Sequence, residues 1–167
     1  MVLLIMRAML TAGDLCIRAM ELADIEPVLA IESVSFSRPW NKDHFAHEIR
    51  SPHSFPFVCE SERGIAGYIC LTVLFELAEI LDIAVAPDVR GRGVARRLMQ
   101  HALGAASGSG AQLVSLEVRS SNVPAISLYR RFGFEQCGVR PRYYDGADDA
   151  VIMEKILSGD TSCSLPQ

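Results

Sequence analysis

The chain has 167 residues, 50% of them hydrophobic and 22% charged, with a formal net charge of −4. That length suits one domain with its own core, and the negative balance argues against a nucleic-acid partner held by bulk charge. Five cysteines without a C-x-x-C pair argue against a disulfide framework or a zinc site, and for a reducing, cytoplasmic compartment.

Residues 1–14 are apolar around Arg7. They are too few for a membrane helix and lack a signal-cleavage pattern, so no membrane partner is expected. They read as an N-terminal extension before a domain over residues 15–157, with a polar C-terminal tail at 158–167. Leu15 to Met20 suits a first strand. Leu22, Ile25, Val28, Leu29 and Ile31 recur at helical spacing up to Ser35, with Pro27 tolerated in the first turns. Phe36 to Trp40 is an aromatic loop, and Asn41 is a fitting N-cap for a second helix to Arg50. His44 and His47 on that helix lack a third ligand and read as a surface pair, so no metal is expected.

Phe55–Glu60, Ile65–Phe75 and Leu77–Val85 are apolar, β-prone runs with short connections, an antiparallel meander. A helix follows from Gly93 to Ser107, ended by Gly108-Ser109-Gly110. Gln112–Val118 is a strand, Asn122–Phe132 a helix stopped by Gly133, and Phe134–Arg140 and Ala150–Leu157 the last strands, with Tyr143-Tyr144-Asp145-Gly146 as the turn between them. The order β-α-α-β-β-β-α-β-α-β-β predicts an α/β fold around one mixed, mostly antiparallel sheet of about seven strands, with about four helices.

Three places carry chemistry. The first is Asp82 to Leu98, where an apolar strand stops at Pro87 and Arg90-Gly91-Arg92-Gly93 leads into a helix. A strand, a basic glycine turn and a helix start form an anion site, suited to a phosphate or pyrophosphate. The second is Glu117, a carboxylate in an otherwise apolar strand near its C-terminal end, where α/β sheets form ligand clefts. Solvent exposure is the alternative for its side chain. The third is Tyr129, on the helix begun by Asn122. A core aromatic and a proton-donating phenol are both open to it.

Taken together, Arg90-Gly91-Arg92-Gly93-Val94-Ala95, the preceding I-A-V-x-P-D, and the later L-E-V-R-x-S-N, A-x-x-L-Y-x-x-x-G-F and Y-Y…D-A-x-x-M resemble the GCN5-related N-acetyltransferases (GNAT). The likeness runs from about residue 15 to 157 and is nearest to the bacterial branch that acetylates the N-terminal alanine of ribosomal protein S18. Ala95 stands where many members have glycine. The resemblance implies the GNAT fold, acetyl-CoA as co-substrate, and the N-terminal peptide of S18 as acceptor. Backbone groups of Ile83, Ala84 and Val85 would run beside the pantetheine arm. Arg90, Gly91, Arg92, Gly93, Val94, Ala95 and Arg96 would hold the pyrophosphate, and Asn122 and Tyr129 would contact the cofactor. Glu117 matches the general base and Tyr129 the general acid, with Asp82 and Glu79 in reserve for the base. Trp40, Tyr143 and Tyr144 would line the acceptor groove. Acceptors of another kind (a different N-terminus, a lysine, a polyamine) and a non-catalytic CoA-binding module remain alternatives. The presence of both Glu117 and Tyr129 speaks against the module.

Overall fold

The computed structural model describes residues 15–157; the expected extension 1–14 and tail 158–167 lie outside them. The elements run β1 (Cys16–Ala19), α1 (Ile25–Ser35), α2 (Lys42–Arg50), β2 (Ser54–Ser61), β3 (Gly64–Leu74), β4 (Leu77–Val85), α3 (Val94–Gly108), β5 (Leu113–Arg119), α4 (Val123–Arg131), β6 (Glu135–Tyr144) and β7 (Asp148–Ile156). Short 3-10 turns at Leu22–Asp24 and Pro87–Val89 precede α1 and follow β4. Asn41 acts as the cap expected of it, and Asn122 caps α4. Asn41 Oδ1 accepts the His44 N–H at 3.0 Å, and His44 Nδ1 accepts the Asn41 N–H at 3.2 Å. This capping box satisfies two donors at the start of α2 and occupies His44. Asn122 Oδ1 accepts from the Ala125 N–H at 3.3 Å, starting α4.

The seven strands form one sheet in the order β1-β2-β3-β4-β5-β7-β6. Every neighbouring pair is antiparallel except β4 and β5, which run parallel. That pairing is short. It joins Leu77–Ile80 to Leu113–Leu116 and then ends, while β4 continues to Val85 and β5 to Arg119. The facing backbone edges of these two ends therefore have no strand between them, and a wedge opens in the middle of the sheet.

Side-chain alternation sends two cores to opposite faces. One packs α3 and α4 on the sheet through Leu98, Met99 and Tyr129 against Ile69, Ile80, Leu116 and Met153. The other packs α1 and α2 through Val28, Ile31 and Phe45 against Val58, Tyr68 and Ala84. A bulge controls which face β4 offers. Leu71 pairs with Ile80 but Cys70 with Asp82, so Leu81 is the extra residue. Without it Asp82 would share the face of Ile80; with it, Asp82 joins Tyr68 on the α1/α2 side. At Gly67 the layers touch, since a Cβ there would sit 2.8 Å from the Ala84 carbonyl oxygen and 3.1 Å from a Val94 methyl.

One boundary differs from the expectation. β6 does not stop at Arg140 but reaches Tyr144, and the turn is Asp145–Ala147, closed by the Ala147 N–H donating to Tyr144 O at 3.0 Å. Pro141 lies inside this strand. On an edge strand it removes no ladder bond, and the register shift between Arg140 and Tyr144, with Arg142 at φ +51°, absorbs the irregularity.

Candidate active site

The wedge is lined by what the sequence singles out. Ile83, Ala84 and Val85 form the β4 edge and Glu117 to Arg119 the β5 edge. At the end of the β4 side, Gly91 and Gly93 adopt φ of +75° and +84°. Both values lie in the left-handed region that glycine enters without strain. Gly93 is the N-cap of α3 and offers no side chain to the helix start; the backbone bond from the Arg97 N–H to Gly93 O is 3.1 Å long. The first-turn N–H groups of Val94, Ala95 and Arg96 thus face out uncapped at the positive end of the helix dipole. Arg92 and Arg96 are exposed beside them. Arg90 is placed differently. Its guanidinium donates to Val85 O at 3.0 Å and to Ser35 Oγ at 3.1 Å, bracing the neck of the loop.

Glu117 and Tyr129 enter from opposite faces. Glu117 alternates with core residues Leu116 and Val118, so it points to the α1/α2 side. It is half-buried, and Oε1 meets the Arg140 guanidinium at 3.1 Å. Tyr129 rises from α4 on the other side, 6% exposed, with its ring 6.1 Å from that of Phe134. Burial, then the neighbouring Asp82 and Tyr144, push its hydroxyl up, so the phenol stays protonated. Asp82 is also buried, and Glu79 is pushed up by burial and by the Glu117 carboxylate. The α1/α2 side of the wedge therefore holds a file of carboxyl groups, and the α4 side a protonated phenol.

The aromatic residues expected at the acceptor groove separate. Trp40 is partly buried on the α1/α2 core, with its ring 5.3 Å from Phe45. Tyr143 and Tyr144 meet edge to face at 5.2 Å at the end of β6. Tyr144 lies under the Arg119 guanidinium at 4.7 Å, and Tyr143 under that of Arg140 at 5.6 Å. Between these two walls runs a charged strap that no local sequence pattern announces. Asp145 takes Arg38 at 2.9 Å, Arg119 at 3.1 Å and the Ser37 hydroxyl at 2.9 Å, while Arg119 also reaches Asp148 at 2.9 Å. It joins the α1–α2 loop to the β6–β7 hairpin. Among the described residues no three His, Cys, Asp or Glu side chains come together as a metal set. Nor, among them, is any helix long and apolar enough to cross a membrane.

Comparison with known proteins returns one consistent result. The model of the acetyltransferase (GNAT) family matches residues 25–134. A Bacillus subtilis protein, provisionally named a ribosomal protein bS18-alanine N-acetyltransferase, is 40% identical over 139 residues, covering 82% of this chain and 92% of its own. The Escherichia coli protein of that name is 31% identical over 145 residues, 85% of this chain and 97% of its own. The crystal structure of the ribosomal-protein-S18-alanine N-acetyltransferase from Escherichia coli superposes with a TM-score of 0.80 at 30% identity, covering 88% and 97% of the two chains.

Proposed function

The chain belongs to the acetyltransferase (GNAT) family, and from that premise we propose that it transfers the acetyl group of acetyl-CoA to the N-terminal alanine amine of ribosomal protein S18. The wedge carries this reading. A strand pair that parts after Ile80 and Leu116 offers backbone donors and acceptors to an extended amide chain. The uncapped start of α3 then lies where the diphosphate of that substrate would end. Gly91 and Gly93 let the loop approach the phosphates, the Val94, Ala95 and Arg96 N–H groups donate to them, and Arg92 and Arg96 add charge.

The N-terminal ammonium gives up two protons in the course of transfer. Glu117, directly or through water, accepts the first, so that the amine can attack the thioester carbonyl. The C–N bond forms and the C–S bond breaks. Tyr129 donates to the departing CoA sulfur, and the amine's second proton replaces the one it gave. No side chain forms a covalent bond to the acetyl group. The names of the curated relatives support the S18 acceptor. Trp40, Tyr143 and Tyr144 are assigned to its groove because they stand on the two walls joined by the Asp145 strap.

The test is a panel of acceptors with acetyl-CoA: a peptide with the S18 N-terminus, peptides with other N-termini, an N-terminally blocked lysine peptide and a polyamine. Acetylation of the S18 peptide well above the rest, at its α-amine by mass spectrometry, is expected. Preference for the blocked lysine peptide or the polyamine overturns the assignment.

A further inference from the structure

Behind the β4 wall of the wedge lies a buried polar cluster that the transfer steps leave unused. Glu32 of α1 is 1% exposed and Asp82 of β4 is 9% exposed. Tyr68 of β3 stands between them. Its hydroxyl lies against one Glu32 oxygen and 3.2 Å from Asp82 Oδ2. The other Glu32 oxygen accepts the Trp40 backbone N–H at 2.6 Å. A second path runs through rings: Trp40 packs on Phe45, and Phe45 meets Tyr68 edge-on at 5.4 Å.

A phenol has one proton to give. Donated to Glu32, it leaves the phenol oxygen as an acceptor toward Asp82, and Asp82 must then bring a proton of its own. Glu32 receives two donors, the Trp40 N–H and the phenol; Asp82, buried and left with the Ile83 backbone N–H once the phenol proton turns to Glu32, keeps its proton. We propose that Glu32 is a positioning residue of the acceptor site, which ties the α1–α2 loop to β4 through the Trp40 N–H and the Tyr68 hydroxyl and keeps Asp82 protonated, so that Asp82 is not a base for the acceptor amine. Ionisation of Asp82 places two carboxylates in competition for one phenol proton and loosens the loop at Trp40.

The surroundings agree. Burial first, then Glu32, push Asp82 up to about 8. The other groups facing it are Tyr68 and Cys70 of β3, Tyr129 of α4 and Tyr144 of β6, all pushed up chiefly by burial, with Glu48 of α2 facing Cys70. Glu117 of β5 lies beyond Tyr144. The inference rests on the proposed function only in naming the loop as the acceptor side.

Trp40 is the single tryptophan, so its fluorescence reports the loop without any substrate. The titration is run in a His44→Gln background, because that imidazole lies 5.8 Å from the indole. A step with a midpoint near 8 is expected, lost in Asp82→Asn. Glu32→Gln moves it down, since the repelling charge is gone and the phenol proton turns to Asp82. Tyr68→Phe moves it up, since that donor is gone. Opposite shifts from two buried substitutions are not what general loosening produces, and thermal melts identify a variant that has not folded. Acceptor KM in Glu32→Gln is expected to rise roughly tenfold with the CoA dissociation constant unchanged. A step that persists in Asp82→Asn, or midpoints that move together, overturns the proposal. So does an unchanged acceptor KM in folded Glu32→Gln. Absence of transfer to any amine beside the expected fluorescence shifts would overturn the proposed function and leave the proton arrangement standing.

Discussion

Tyr129 and Glu117 stand in different settings beside the same wedge, and those settings say how the acid and base roles proposed for them should respond to substitution. Tyr129→Phe removes one oxygen from a ring that stays packed against Phe134, and Glu117→Gln keeps the shape of a side chain that bonds Arg140. Both variants should fold, bind CoA normally and lose turnover by roughly 10²-fold, the usual share of a proton-transfer group. Steady-state kinetics beside calorimetric CoA binding decide this, and unchanged turnover in both would remove the assigned roles. Glu117 stands out as a carboxylate in an apolar strand, whereas Tyr129 fits a core aromatic equally well and is singled out by the family resemblance. Glu32, Arg140 and Asp145 break no local pattern. Glu32 is one of two acids in α1, and the Tyr68 hydroxyl, 36 residues away, together with the Trp40 N–H gives its burial a reason.

At the scale of elements, the wedge depends on β4 being held from one side only. Its pairing with β3 runs on to Val85 opposite Gly67, while its pairing with β5 ends at Ile80. Seven strands, four helices and two asparagine caps follow from periodicity and local chemistry, which are short-range signals. The parallel β4–β5 contact, its early end and the bulge at Leu81 are decisions between distant segments. No window of sequence contains them. Gly67 marks the cost of the arrangement. An alanine there must push on the Ala84 carbonyl and on Val94 and Leu98 of α3, and backbone yields less than a flexible side chain. Gly67→Ala should lower unfolding free energy by about 1–3 kcal/mol, measured by denaturant titration. Because Ala84 and Val94 flank the proposed CoA path, CoA affinity should fall in the same variant. Unchanged stability would mean that α3 rides on β3 less tightly than these distances show.

Across the whole molecule, two walls that are far apart in sequence meet through Asp145. One is the loop carrying Ser37, Arg38 and Trp40; the other is the hairpin carrying Tyr143 and Tyr144. Arg119, at the end of the β5 edge, holds Asp145, Asp148 and the Tyr144 ring together. The Ser37 hydroxyl first, then Arg119 and Arg38, hold the Asp145 carboxyl below the usual carboxylate range, so the strap stays charged through neutral pH. Exposed pairs of this kind add little to global stability, since water screens them and long side chains lose entropy to form them. The effect expected of this strap is on geometry, by fixing the width between the walls that it ties together. Asp145→Asn should therefore leave the melting temperature and the CoA dissociation constant near their wild-type values and change the acceptor KM several-fold. Salt supplies the check on mechanism. At about 1 M, where the screening length is roughly 3 Å, the wild-type acceptor KM should move toward that of Asp145→Asn, and the variant should respond less. A variant with wild-type acceptor KM at low salt would show that the strap does not set the groove, and would return the acceptor contacts to Trp40, Tyr143 and Tyr144 alone.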